Sequence, residues 1–168
     1  MKNLDKNLSI TLNQLALSNK VIYYISRIIT ATGEWWMYLL YGLIVTAINF
    51  DKGIIACYTG LIAYSIYYPT YYAIKNISKR KRPFEAYEKI HSLVKPPDKY
   101  SLPSGHASAS TISALITVST FEGIGFLVLW PILVGVSRII LGVHYLSDTI
   151  IGFILGYICY NVSLFILI

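Results

Sequence analysis

Ser137-Arg138-Ile139-Ile140-Leu141-Gly142-Val143-His144-Tyr145-Leu146-Ser147-Asp148 is the stretch that decides how this chain is read. Long apolar runs flank it on both sides, yet it carries an arginine, a histidine and an aspartate. Ionisable groups at the edge of a membrane segment cost free energy, so their presence points to function. Residues four apart on a helix share a face, which brings Asp148 to the ring of His144. A carboxylate there keeps one imidazole nitrogen as N–H and leaves the lone pair of the other free to attack. Arg138 lies beyond Gly142, where a turn swings it back to the same spot. A nucleophile, an orienting acid and an anion clamp thus fit within one short segment. The competing reading is a helix end with snorkelling charges, and the rest of the chain decides between the two.

Working outward, the flanks are those of a membrane protein. Mean hydropathy is +0.57 and 13% of residues are charged, against about 25% in soluble domains. The 168 residues suit one domain, 1–168. Net charge is +6, and of the fourteen lysines and arginines eight fall between Lys75 and Lys99, with four more in the first 27 residues. A basic surface beside a bilayer suits phosphate or anionic lipid. It argues against nucleic acid, because spans rather than a soluble reading surface flank the basic residues. Cys57 and Cys159 sit inside apolar runs and read as buried and unpaired, without metal-ligand spacing. Met1 to Asn19 lacks a continuous apolar core, so no cleaved signal peptide is read there.

Leu4, Leu8, Leu12 and Leu15 recur at helical spacing among polar residues, which predicts an amphipathic helix on the membrane surface. Val21 to Thr32 follows as a second short helix carrying Arg27. Apolar spans are expected at Trp35–Phe50 and, after an Asp51-Lys52-Gly53 turn, at Ile54–Ile74. Tyr64, Tyr67, Tyr68, Tyr71 and Tyr72 crowd the later half of that second span, as interfacial anchors or as the wall of a lipid-chain groove. Lys75 to Leu102 is the one long polar segment, with Pro83, Pro96 and Pro97 as breakers, a short helix or lid from Phe84 to Leu93, and His91 on the surface. Three further spans are expected: Pro103–Phe121, rich in small residues that allow close helix packing, then Ile124–Leu141 and Tyr145–Ile168. The fold class is all-α: an integral membrane helical bundle of about five transmembrane helices plus the N-terminal amphipathic region.

Five crossings place the polar segment, Ser104 to His106 and Arg138 to Asp148 on one membrane face, with thirteen of the fourteen basic residues and only Lys52 opposite. Three motifs meet there. Lys75 and Arg82-Pro83 supply two cations that grip separate phosphate oxygens, the arginine in a bidentate fork. Lys79, Arg80 and Lys81 read as a solvated or headgroup-facing run. Ser104 and Gly105 open a helix, where orphan N–H groups and the helix dipole cradle an oxyanion. His106 in that first turn can protonate a leaving oxygen, and His144 supplies the nucleophile. Glu34 reads as facing headgroup water.

These blocks, Lys75 with Arg82-Pro83, then Pro103-Ser104-Gly105-His106, then Ser137-Arg138 with His144 and Asp148, resemble the signature of the type 2 phosphatidic acid phosphatase superfamily. That family also includes vanadium haloperoxidases. The resemblance covers Lys75 to Asp148 and implies a helical bundle, a phosphohistidine on His144, and Asp148 to orient it. It further implies His106 as proton donor and later water activator. Lys75, Arg82, Ser104, Gly105 and Arg138 would hold the phosphoryl oxygens, with no metal and no cofactor. The expected activity is a lipid phosphate phosphatase acting on lipid A phosphate, phosphatidylglycerol phosphate or undecaprenyl pyrophosphate in a bacterial inner membrane. The alternatives are a lipid phosphotransferase using the same phosphohistidine and a non-catalytic basic scaffold. The positive-inside rule would put the basic face in the cytoplasm. The family resemblance favours the periplasmic or external face, because several of those cations belong to the site. The expected partners are the bilayer and its lipid phosphate; oligomeric state is left open.

Overall fold

The computed structural model describes residues 2–167; Met1 and Ile168, which end the expected N-terminal region and the expected fifth span, lie outside them. Among the described residues every regular element is helical, in line with the all-α expectation. α1 (Lys2–Ser18) and α2 (Lys20–Ala31) form the N-terminal region, and the side chain of Asn19 between them caps α2 by accepting from the Val21 and Ile22 N–H groups. α3 (Trp35–Ile48) and α4 (Phe50–Ser78) meet at Asn49, whose side chain accepts from the N–H of Lys52. The turn expected at Asp51-Lys52-Gly53 is therefore the first turn of α4. An asparagine cap starts a helix more readily than a lone glycine stops one.

Beyond the polar segment, which holds only α5 (Pro83–Ala86), come α6 (Gly105–Thr120), α7 (Trp130–Ile140) and α8 (Leu146–Leu167). A 3-10 segment, Gly125–Leu129, runs directly into α7, and together they form one apolar helix, Gly125–Ile140, over the expected fourth span but shorter than a membrane-crossing helix. Pro131 sits in the first turn of α7, where its missing N–H costs nothing.

α4, α6 and α8 pack around Ala63, Tyr67, Tyr71, Ile112, Ile116, Leu155 and Cys159. Glycines on α8 let it approach α6 closely: a β-carbon on Gly156 would lie 2.8 Å from Thr111 Cβ, and one on Gly152 would lie 2.7 Å from the Ser104 carbonyl oxygen. This pair at small-xxx-small spacing draws the start of α8 against the start of α6. There the Ser104 N–H donates to the Asp148 carbonyl at 3.0 Å.

The outside of the bundle is apolar. Leu39, Leu43, Ile48, Ile55, Leu61, Phe126 and Phe165 are exposed, whereas Ser104, Ser108, Ser110 and Ser113 are buried. That inverted distribution is the surface of a membrane protein. α8 is long and apolar enough to cross a bilayer, and α2 with α3, bent by 59°, pass the same measure together. α6 has 16 residues and falls short of that length.

α1 forms where the leucine spacing predicts, but its buried stripe is Asp5, Ser9, Asn13 and Ala16, with Leu4 and Leu15 exposed. Its polar face turns towards the protein.

Candidate active site

Gly142 makes the turn that the opening stretch predicts. Its φ is +77°, a conformation open to glycine, and a β-carbon there would lie 2.8 Å from Asn13 Nδ2. α7 ends at Ile140, and the Val143 N–H reaches back to the Arg138 carbonyl at 3.2 Å. The chain reverses, so Arg138, His144 and Asp148 are all buried in one place, each no more than 2% exposed. Arg138 Nη1 donates to Thr30 Oγ1 on α2 at 2.8 Å, while its Nε and Nη2 have no partner among the described residues. Unpaired buried guanidinium N–H groups are costly, about 1–3 kcal/mol each when no anion satisfies them.

His144 and Asp148 do not share a helical face. His144 lies in the turn before α8, and its Nδ1 sits 3.5 Å from Asp148 Oδ2, longer than a hydrogen bond. The carboxylate is engaged elsewhere: Asp148 Oδ2 accepts from the Tyr145 N–H at 2.8 Å and from the Ser101 hydroxyl, and Oδ1 accepts from Arg80 Nη1 at 2.6 Å. An aspartate near a helix start satisfies orphan N–H groups first, which the spacing argument leaves out. Burial pushes the His144 imidazole down to about 3, against a smaller upward pull from Asp148, so the ring is neutral at working pH. His144 Nε2 faces Arg82 Nη1 at 3.4 Å.

Lys75 and Arg82 converge as their spacing predicts, and both are buried. They meet on Asp98: its Oδ1 accepts from Lys75 Nζ at 2.8 Å and from Arg82 Nη2 at 2.8 Å, and its Oδ2 accepts from the Tyr71 hydroxyl at 2.6 Å. Arg82 Nη1 also donates to the Val143 carbonyl at 2.7 Å, tying the clamp to the residue before His144. Burial would raise the Asp98 carboxyl. The hydrogen bonds from Lys75 and Tyr71 and the charges of Lys75 and Arg82 outweigh it and hold the group below its ordinary value.

Ser104 caps α6, its Oγ accepting from the Ala107 N–H at 3.4 Å. The clearance at Gly105 is filled by Tyr71, whose hydroxyl would lie 3.0 Å from an added β-carbon. His106 faces Glu34, Nε2 to Oε1 at 3.3 Å, across the bend between α2 and α3. Among the described residues no group of three or more His, Cys, Asp or Glu side chains is placed to hold a metal ion.

Four polar partners escape the sequence reading. Arg80, expected in a solvated run, donates to Asp5 Oδ2 at 2.9 Å and to Ser147 Oγ at 2.6 Å besides Asp148. Arg80 pairs with two buried carboxylates instead of with water, while Lys79 and Lys81 stay exposed as expected. Asp5 itself was visible as the start of a polar stripe, Asp5, Ser9, Asn13, opposite the leucines. Asp98, after Pro96-Pro97, and Glu34 carry no local sequence signal of their contacts.

The comparisons with known proteins bear on this arrangement. A model of the PAP2 superfamily matches residues 37–166. Decaprenylphosphoryl-5-phosphoribose phosphatase of Mycobacterium tuberculosis is 37% identical over 83 residues, which is 49% of this chain and 45% of that protein. Undecaprenyl-diphosphatase of Sulfolobus acidocaldarius is 34% identical over 85 residues, 49% of this chain and 41% of that one. The chain thus spans about half the length of the relatives it matches. In fold it is similar to the crystal structure of LpxE from Aquifex aeolicus, with TM-score 0.79, 20% identity, and 96% of this chain and 94% of that one covered. It is also similar to a transmembrane PAP2-type phosphatidylglycerolphosphate phosphatase from Bacillus subtilis, with TM-score 0.74, 20% identity, and 96% and 83% covered.

Proposed function

This chain belongs to the PAP2 superfamily, and we propose that it is a membrane lipid phosphate phosphatase working through a phosphohistidine on His144. The observation that carries the reading is the buried pair of guanidinium groups around one neutral imidazole. Arg82 touches His144 Nε2, and Arg138, close enough to bear on the ring's charge, has two nitrogens without a partner among the described residues. Such a site suits an anion, which guanidinium groups bind through charge-assisted hydrogen bonds.

In the proposed reaction the phosphoryl group lies against Arg138, Arg82, Lys75 and the start of α6, at Ser104 and Gly105. The His144 Nε2 lone pair forms an N–P bond as the bond to the leaving oxygen breaks, and that oxygen takes a proton from His106. Water then gives a proton to His106 and attacks phosphorus. The N–P bond breaks, inorganic phosphate leaves, and His144 returns to neutral. Fixed cations and a helix start take the transition-state charge, a role for which the resemblance implies no metal.

A lipid substrate fits the neighbouring surface. A groove of about 680 Å³ lies between α3, α4 and α6, lined by Trp35, Tyr38, Leu39, Leu43, Tyr64 and Tyr68 among others. At its head the Tyr38 hydroxyl donates to the Gly33 carbonyl at 3.0 Å, next to Glu34 and so to His106. A hydrocarbon chain seated there would bring its phosphate to the cations. The names of the relatives fit a polyprenyl or glycerolipid phosphate. About five crossings, the N-terminal region on the membrane surface and an active site on the external face of a bacterial inner membrane complete the proposal. Phosphate release from a panel of purified lipid phosphates, wild type beside His144→Ala, tests it. Turnover on at least one lipid that the variant loses supports the reading; no release from any lipid, or full retention by the variant, removes it.

A further inference from the structure

We propose that Asp5 and Arg80 are positioning residues for this reaction, acting through Asp148, and that α1 is therefore part of the catalytic apparatus. The inference rests on the phosphatase reading but adds to it, because α1 lies wholly outside the family-matched residues 37–166.

Asp148 is fully buried, and Arg80 is the one cationic side chain that hydrogen-bonds to it among the described residues. Arg80 Nη1 holds Oδ1 at 2.6 Å, Nη2 is held by Asp5 Oδ2 at 2.9 Å, and the guanidinium lies over the Tyr145 ring at 4.1 Å. Its orientation is thus set from three sides. Asp5 acts on Asp148 by a second route as well. Its carboxylate accepts from the Ser147 N–H at 3.0 Å and the Ser147 hydroxyl at 2.5 Å, fixing the first turn of α8. α1 cannot drift, because Asn13 accepts from the His91 N–H at 2.8 Å and donates to the His91 and Ile140 carbonyls, both at 3.0 Å. These contacts hold Oδ1 of the Asp148 carboxylate, while the Tyr145 N–H and the Ser101 hydroxyl hold Oδ2. The 3.5 Å gap to His144 Nδ1 closes to a hydrogen bond only with a small rotation about that anchored Oδ1.

The test is steady-state kinetics on the full-length protein in detergent micelles, with the lipid phosphate that the wild type hydrolyses best and orthophosphate as inhibitor. The variants are Asp5→Asn, Arg80→Gln, Arg80→Lys and the double Asp5→Asn/Arg80→Gln. Arg80→Gln is expected to lower kcat about ten- to a hundredfold, the range for loss of an outer partner of a reactive group, with KM and the orthophosphate inhibition constant unchanged. Arg80→Lys recovers part of the loss. Asp5→Asn loses less than Arg80→Gln, and the double variant loses less than the product of the two single losses, because part of the effect of Asp5 runs through Arg80. Thermal melts accompany each variant, and the isosteric Asp5→Asn keeps the test open if Arg80→Gln does not fold. Wild-type kcat in folded variants, or losses that multiply, overturns the inference while leaving the phosphatase reading intact. A wild type that releases no phosphate from any lipid overturns both.

Discussion

The Lys75 ammonium and the Asp98 carboxylate form an ion pair at 2.8 Å in the place where the sequence motif calls for a phosphate clamp, and the same oxygen accepts from Arg82. A single protein carboxylate thus pairs with both cations and offsets half of their charge. Removing its charge while keeping its shape should let another anion bind more tightly. Asp98→Asn is expected to lower the inhibition constant of orthophosphate about tenfold, or ~1.4 kcal/mol. An unchanged or raised constant would show that Asp98 supports anion binding instead of opposing it.

The His144 imidazole is held down to about 3 by burial, from an ordinary value of 6.5. The unfolded chain therefore takes up a proton between those values that the folded chain refuses. Stability from this group is full above pH 6.5 and declines as pH falls towards 3. His144→Asn should flatten the pH dependence of the melting temperature across that window. On nitrogen-labelled histidine, NMR should show the wild-type His144 ring still neutral at pH 5, where an exposed imidazole is protonated. A protonated ring there would contradict the account.

Arg138 keeps Nε and Nη2 free inside the protein, an arrangement that costs stability unless an anion arrives. Arg138→Lys keeps the charge but loses the planar fork. The expected result is a loss of about a hundredfold in kcat/KM, ~2.7 kcal/mol, with a melting temperature at or above wild type. Near-normal kcat/KM would assign those N–H groups to structure.

Much of this was legible in the sequence because chemistry and topology coincide in it. Gly142 makes the turn that the motif suggests, and Lys75 and Arg82 converge on one point. What was not legible depended on competition between partners. The four-residue spacing of His144 and Asp148 suggests a helical pair, but the helix begins only at Leu146, so Asp148 spends its lone pairs on Tyr145, Ser101 and Arg80. The leucine stripe of α1 predicted the helix correctly, yet the function of that helix lies in the opposite stripe, through Asp5 and Asn13. Hydropathy finds the face that meets lipid and is silent about what the other face touches.

The proposed orientation is testable through α8, which starts at the site and is long and apolar enough to carry its far end to the other side of a membrane. A compartment reporter fused beyond Leu167 is expected to read cytoplasmic, leaving the site outside. A reporter active only in the external compartment would reverse the assignment and put the basic face on the inner side.

The central claim is a covalent bond between phosphorus and His144, and trapping it is the direct measurement. Protein mixed with a lipid phosphate labelled at its terminal phosphorus and quenched in base should carry label that survives base and is lost in acid. The label should map to the peptide containing residue 144, and His144→Ala should carry none. Label persisting in His144→Ala, or mapping to another residue, would contradict the account.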